Sequence, residues 1–469
     1  MIRARAQTPR PGSGLALIDG TPDPRRLALL GFGLLAVDTI LMLARVEPFA
    51  TWFYLFAWYP TLVLLDCAIA AKTGQYYLIA RPRAALSLFL WSAVMWFVFE
   101  LVNFRLENWY YVFLPPDRTL RWSGTVLSFM TVLPAIFLAE RLLRAYRVAT
   151  GIRWPTFRIG PRTLSAVWLT GVGFFALTLA WPRIFYPMIW GALTLLLEPW
   201  NYRRDPERSL LGDLSAGRPG RVLRLLLAGL AIGFIWEIFN IYAVGKWIYT
   251  VPGFENIKLF EMPVPGFLGF PIFAMDCFVI YQSLVLAGLA MPVEGARARA
   301  GKAIRIGRTL VAGGAASLFC IAALLGMERW NIDSYTPQLK GLRSTVPTAA
   351  EQLAETTYSD VFLLAKAQPA AVATVAGVSP AEAGAWISAA RVATLRGIGT
   401  HNGMLLWHAG IRSVADLATA DPESLSRKLR RTTQRPRTAT SPKVRVWVRA
   451  ARRAVTDLPH TAGRAAGTE

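Results

Sequence analysis

Two stretches of this sequence place chemically capable residues in surroundings that rarely hold them. WFVFELVNFRLENWYYVFLP (96–115) and GFIWEIFNIYAVGKWIYTVP (233–252) each set a Glu and an Asn three residues apart in an apolar run, then follow with Trp-x-Tyr. The pairs are Glu100/Asn103 and Glu237/Asn240, and the candidate binding residues after them are Trp109/Tyr111 and Trp247/Tyr249. A spacing of three presents carboxylate and amide on one helix face. An acid inside a bilayer costs at least about 2.5–3.5 kcal/mol unless it is neutral or paired, so it marks a functional site by default. Two uses stand open. As a catalytic site, the two acids would donate protons to an apolar substrate or relay them across a cavity. The asparagines would then orient them, and Trp109 and Trp247 would offer faces to a developing cation. As a structural device, each pair is a polar clamp between helices, worth about 0.6 kcal/mol per hydrogen bond. Asp38, Asp66, Glu198 and Asp276 are further acids in apolar runs, with Asp66 and Glu198 nearest the cytoplasmic interface.

Such residues need a membrane fold to position them. Of 469 residues, 54% are hydrophobic and 17% charged, against about a quarter charged in soluble domains, and the mean hydropathy is +0.38. A helix of about 20 apolar residues crosses the bilayer core. Nine runs qualify, near 27–45, 51–71, 85–104, 123–143, 163–181, 184–199, 222–243, 266–291 and 309–327. The run 184–199 is short and bounded by prolines, which reads as tilted or re-entrant. Before the first run there is no short apolar core with a cleavage site, and Arg25-Arg26 reads as the positive flank of a first span. The predicted fold class is all-α, a polytopic transmembrane helical bundle followed by a small helical domain.

The spans repeat. Residues 27–143 and 163–290 share a skeleton of Tyr-Pro, about forty to fifty residues, Glu-x-x-Asn, five or six residues, and Trp-x-Tyr. Four spans make one unit. An even number gives both copies the same orientation, related by an axis along the membrane normal, so the two polar pairs sit at equal depth. Lys and Arg in short loops set the orientation. With the N-terminus inside, segments 1–26, 72–84, 144–162, 200–221 and 292–308 hold 23 Lys/Arg, and the opposite segments 46–50, 105–122, 182–183 and 244–265 hold 6. The Trp-x-Tyr loops then lie at the outer surface, where aromatic rings suit the interface. Nine spans put the tail from 328 outside a bacterial cytoplasmic (inner) membrane.

Cys67, Cys277 and Cys320 all fall in apolar runs, where a free thiol behaves as a small hydrophobe, and they give no disulfide framework. His401, His408 and His460 lie beyond the last span, so the membrane region has no histidine cluster for iron or zinc. Neither metal nor cofactor is expected. The net charge of +22 invites a nucleic-acid reading, yet much of it is loop bias that also attracts anionic lipid headgroups.

In the tail, Ser379-Pro380 and Asp421-Pro422-Glu423 have the form of helix starts. LRGIGTHNGMLLWHAGIRSVADLATADPESL resembles the helix-hairpin-helix repeat, and the flanking SPAEAGAWISAARVAT and PKVRVWVRAARRAV are similar to an uncharacterised bacterial family of tandem helix-hairpin-helix domains, over about 358–455. The turn is Gly397, Ile398 and Gly399, whose glycines permit a tight bend with amides able to face an anion. In DNA-binding members such amides grip phosphate, but Thr400-His401-Asn402 stands where Lys or Arg is common. DNA is therefore a possible partner and not the favoured one, and packing against protein is the alternative. The basic run from Arg427 to Arg445 suits polyanions, including phospholipid headgroups.

The membrane units carry a second resemblance. Trp/Phe-Glu at a span end, then Gly245-x-Trp247-x-Tyr249 and a proline-containing approach to the next span, is similar to the tandem membrane repeats of heterodimeric-type lycopene cyclases. Their Pro-x-Glu-Glu motif is replaced here by Phe260-Glu261-Met262-Pro263. Three functions follow as expectations. The first is an integral membrane protein whose tail is an interaction module for a protein or polyanion. The second is an enzyme acting on an isoprenoid or lipid by acid catalysis. The third is a secondary transporter with a site between the repeats. The partners to expect are the bilayer, a protein docked through the tail, and a small apolar ligand. The predicted segments are a basic stretch 1–26, membrane repeats 27–160 and 161–292, a basic loop and final span 293–327, a linker 328–357, the helix-hairpin-helix domain 358–455 and a disordered tail 456–469.

Overall fold

The computed structural model describes residues 21–253, 257–294, 306–433 and 437–456. The basic stretch before 21 and the tail beyond 456 lie outside the described residues. Helix α1 (Pro24–Leu43) opens on a proline, with the Asp23 side chain accepting from Arg25 N. α3 (Pro82–Leu106) and α6 (Pro161–Ala180) open the same way, at a position where the missing N–H is not needed. α2 (Phe53–Thr73) ends on Gly74 in the left-handed conformation. The next pass is α4 (Arg118–Met130) and α5 (Val132–Ala145), broken at Thr131 with Pro134 just beyond. Ser92 of α3 bridges the break, donating to Phe129 O at 2.6 Å and accepting from Leu133 N at 3.0 Å.

The second half runs through α6, α7 (Ile189–Arg204), α8 (Leu210–Ser215), α9 (Gly220–Tyr242) and α10 (Gly269–Leu286), followed by α11 (Ile306–Trp330). Eight helical segments among the described residues are long and apolar enough to cross a membrane, which suits a multi-pass membrane protein. The predicted span 184–199 is not one of them. There the chain makes two short turns and then α7, 16 residues long and kinked at Trp190 and Gly191, so it covers about 24 Å where a core needs about 30 Å. Asp276 of α10 explains how the kink is held. Its carboxylate accepts from Gly191 N and Thr194 N, each at 2.8 Å, and from the Thr194 hydroxyl at 2.6 Å, so it caps the helix that restarts beyond the kink.

The packing follows one order in both halves: α1 on α2, α2 on α5 and α5 on α3, then α6 on α7, α7 on α10 and α10 on α9. Across the middle α5 meets α9 and α10 meets α3, with Arg224 of α9 on Glu140 of α5 at 2.6 Å. Gly229 and Gly233 let α9 approach α10 closely, because a Cβ at either would overlap Phe270. Small residues four apart serve this purpose in membrane helices.

Outside the helices, β1 (Trp109–Val112) pairs antiparallel with β2 (Lys246–Tyr249). A small hairpin, β3 (Lys258–Leu259) and β4 (Met262–Pro263), follows. The chain leaving α11 runs parallel along β1, with Tyr111 N on Asn331 O at 2.8 Å and Asp333 N on Tyr111 O at 2.9 Å. This alters two expectations. Trp109 and Tyr111 are buried under that segment, whereas the sequence put them at the membrane interface. The stretch 328–357 is no linker either, for Leu339, Leu342, Val346, Ala349 and Leu353 share a core with Trp386 and Ile387.

The C-terminal part comprises α12 (Val361–Lys366), α13 (Pro369–Ala376), α14 (Pro380–Thr394), α15 (Gly399–His408), α16 (Val414–Thr419), α17 (Pro422–Thr432) and α18 (Ser441–Thr456). Ser379 caps α14 and Asp421 caps α17, each with a proline behind it. This part sits on the face of the bundle that carries β1 and β2, where Val446 of α18 joins Tyr110, Val112 and Ile248 in one buried cluster.

Candidate functional site

Glu100 and Glu237 end up in equivalent settings with unequal partners. Both are fully buried, as are Asn103 and Asn240. Each asparagine binds the backbone of the tryptophan that follows it. Asn103 Nδ2 donates to Trp109 O at 2.8 Å, and Asn240 Nδ2 to Trp247 O at 3.0 Å. Their Oδ1 atoms accept from Asn108 N at 2.9 Å and Trp247 N at 3.0 Å. The strand is thereby folded back along its own helix, and each tyrosine reaches that helix's acid. Tyr111 Oη donates to Glu100 Oε1 at 2.6 Å, and Tyr249 Oη to Glu237 Oε1 at 3.0 Å.

The two carboxylates then diverge. Glu100 Oε1 also accepts from Trp96 Nε1 and Trp109 Nε1, each at 3.0 Å, and Oε2 accepts from Asn331 Nδ2 at 2.5 Å. A buried acid with donors on both oxygens is a structural junction. Glu237 Oε2 closes no hydrogen bond. The Trp247 indole and the Met262 amide act on this carboxyl without reaching bonding geometry. Of the other acids, Asp66 is saturated by the amides of Tyr77, Leu78 and Ile79 at 2.5, 2.9 and 2.8 Å, and Glu198 accepts from Leu211 N at 2.9 Å. Asp38 is buried with neither oxygen bonded.

Between the two polar pairs lies a chamber of about 330 Å³, within the size range of small-molecule sites. Trp96, Trp109, Trp190, Trp236, Trp247 and Phe273 form much of its wall. An adjoining space of about 80 Å³ shares Trp96, Tyr111, Trp236, Trp247 and Tyr249 with it and adds Lys246. Three polar atoms of these lining residues are packed out of contact with solvent and without a hydrogen-bond partner: Trp236 Nε1, Trp247 Nε1 and Asn108 Oδ1. Unsatisfied buried polar atoms are uncommon, and each one calls for an explanation.

Outside the spans, burial pushes the Tyr111 and Tyr249 hydroxyls well above their usual range, with the charges of Glu100 and Glu237 as the second cause. Both stay hydrogen-bond donors. Burial also brings the Lys246 amine down to about 8, opposed by the Glu261 charge.

The predicted binding residues Trp109, Tyr111, Trp247 and Tyr249 thus gather on one chamber, while Glu100, Asn103, Glu237 and Asn240 stand behind them. Asn108, Asn331, Trp190 and Trp236 were not singled out from the sequence. Asn108 had a signal, since it directly precedes Trp109, but Asn331 lies 231 residues from the carboxylate it binds.

Gly397 and Gly399, either side of Ile398, have φ of +82° and +73°. Their surroundings are protein. A Cβ on Gly397 would overlap the Val112 side chain and one on Gly399 would overlap Ser334, Ser334 Oγ donates to Gly397 O at 2.6 Å, and Ile398 is in the core. Ion pairs fix the same interface: Arg396–Glu261 at 2.5 Å, Lys443–Asp333 at 2.6 Å and Arg437–Glu107 at 3.1 Å.

Residues 344–454 match a family described as a domain of unknown function (DUF4332), uncharacterised as the tail's resemblance implied. No curated protein and no solved structure matches the chain. The matched segment begins inside the predicted linker, in keeping with the buried Val346, Ala349 and Leu353.

Proposed function

We propose that this multi-pass membrane protein holds a mostly apolar ligand, a lipid or isoprenoid chain, in the tryptophan-walled chamber between two copies of a duplicated four-helix unit. The helix-hairpin-helix-like module closes the outer face, so the protein partner of its turn is this chain's own β1 and the strand after α11. The observation that carries the reading is the chamber of about 330 Å³ walled by Trp96, Trp109, Trp190, Trp236 and Trp247. An apolar chain would cover these rings.

Duplication is supported by the matching Asn-to-Trp and Tyr-to-Glu bonds in the two halves. It is supported as well by the reciprocal register of β1 and β2, in which Trp109 faces Tyr249 and Tyr111 faces Trp247. A two-fold relation exchanges residues i and j in this way. In this reading the short turns at 182–188 and α7 together make a ninth pass, the N-terminus is cytoplasmic, and the module is extracytoplasmic on a bacterial inner membrane, in line with the loop charge bias.

The test is mass spectrometry of the protein released from native membranes, with and without Ile272→Trp, which fills the chamber wall. The expected result is a co-purifying apolar molecule lost in the variant at unchanged thermal stability. Equal retention by both forms would sink the proposal. A second reading, acid catalysis on the same ligand, is favoured by one feature, the unbonded Glu237 Oε2. Turnover of the co-purified molecule by wild type but not by Glu237→Gln would establish it, and equal turnover by both would refute it.

A further inference from the structure

Beside the apolar chamber lies a second cavity of opposite character. A cleft of about 280 Å³ is lined by Lys258, Arg396, Arg449 and Arg453, with Val446 and Ala450. Arg449 and Arg453 come from one face of α18, four residues apart. Arg396 comes from the turn before Gly397 and holds a positive φ of 42°, a conformation that a non-glycine residue keeps only where its surroundings enforce it. Its guanidinium is bound to Glu261 at 2.5 Å. Three separate segments thus deliver cations to one place.

The β3–β4 hairpin joins cleft and chamber. Lys258 lines the cleft, pairs across the hairpin with Pro263, and donates from Nζ to Tyr249 O at 3.1 Å. Pro263, Met262 and Tyr249 all line the chamber. Glu261, which anchors Arg396, adjoins Met262 in the chain. An apolar pocket and a cationic cleft therefore share a single hairpin as their common rim.

We infer that the ligand is a single-chain amphiphile ending in a phosphate, its chain in the chamber and its phosphate over the hairpin against Arg396, Arg449, Arg453 and Lys258. The chamber would not hold the phosphate, because its walls provide no paired charge for an anion taken out of water. Guanidinium groups match phosphate oxygens in forked pairs, and such charge-assisted bonds are short and strong. This assignment rests on the chamber reading above and adds the headgroup to it.

The experiment uses the full chain in nanodiscs of uncharged lipid, with three probes: dodecyl phosphate, dodecanol and inorganic phosphate. Wild type should bind dodecyl phosphate at least tenfold more tightly than dodecanol, and inorganic phosphate should compete poorly. Arg449→Gln with Arg453→Glu should erase the tenfold preference while dodecanol binding persists. Arg453→Glu alone, at an exposed position, should reduce it severalfold without affecting folding. A preference unchanged in both variants overturns the headgroup assignment. Inorganic phosphate competing as well as dodecyl phosphate overturns it too and gives the cleft to a soluble phosphate. Duplex DNA displacing the probe from wild type but not from the arginine variants would hand the cleft to nucleic acid and equally overturn it. Failure of the chamber reading looks different: Ile272→Trp would then leave dodecanol binding intact, whatever the arginine variants do.

Discussion

Trp109 of β1 stands opposite Tyr249 of β2, and two residues along the same pair Tyr111 stands opposite Trp247. Each Trp-x-Tyr meets the other with its members exchanged, while each tyrosine returns its hydroxyl to the glutamate of its own helix. Main-chain bonding between the strands therefore couples the polar residues of α3 to those of α9. A slip of one residue would turn every side chain to the other face of the pair, so the register decides what the chamber is made of.

The two glutamates should respond differently to the same isosteric change. Glu100→Gln puts an amide where four donors converge, leaving at least one facing another donor, at a cost of about 1–3 kcal/mol. Glu237→Gln can keep its oxygen toward Tyr249 and place its nitrogen where Oε2 closes no hydrogen bond, so it should cost less than the Glu100 change. Thermal melting in nanodiscs compares them directly, and equal losses would contradict the asymmetry.

Lys246 gives a pH dependence whose sign follows from its burial. The folded protein releases this proton near pH 8, whereas the ordinary value is 10.5. Between those limits the unfolded chain binds more protons, so the Lys246 contribution makes stability rise with pH. The melting temperature of wild type, taken relative to Lys246→Met, should climb from pH 8 toward pH 10. Parallel curves for the two proteins across that window would refute the assignment.

Asp38 is a buried acid in α1 that the fold leaves without a hydrogen bond. Removing an unsatisfied buried polar group relieves its desolvation cost. Asp38→Leu should therefore stabilise the protein by about 1 kcal/mol or more. A destabilised variant in the same melting assay would mean that the carboxylate has a structural partner after all.

The module's seat on β1 depends on Gly397. Valine there would combine a strained backbone at φ +82° with overlap against Val112, a strain on the order of 1–3 kcal/mol. Gly397→Val should leave the helical circular dichroism signal unchanged and speed protease cleavage within 331–345. Unchanged cleavage would show that the ion pairs alone hold the module.

Much of the membrane half is legible along the chain because it is written in local terms. Apolar runs of span length, prolines at helix starts and the positions of Glu100, Asn103, Glu237 and Asn240 depend only on neighbours in sequence. Even the tyrosine-to-glutamate bonds are short-range, 11 and 12 residues apart. The kink in α7 is a partial exception. Its proline boundaries hinted at an irregular span, but the capping acid, Asp276, comes from another helix 85 residues away.

By itself the sequence determined that this chain is a multi-pass helical membrane protein with two similar polar motifs and a helical C-terminal module, since hydropathy, spacing and helix-start residues act over a few turns of chain. Only the tertiary structure decided that Glu100 is saturated while Glu237 is not, that Trp109 and Tyr111 are covered, and that Gly397 rests on Val112. Those outcomes depend on Asn331, Val112 and Arg396 arriving from distant segments, and burial and hydrogen bonding are set by which segments meet, a quantity that no local pattern carries.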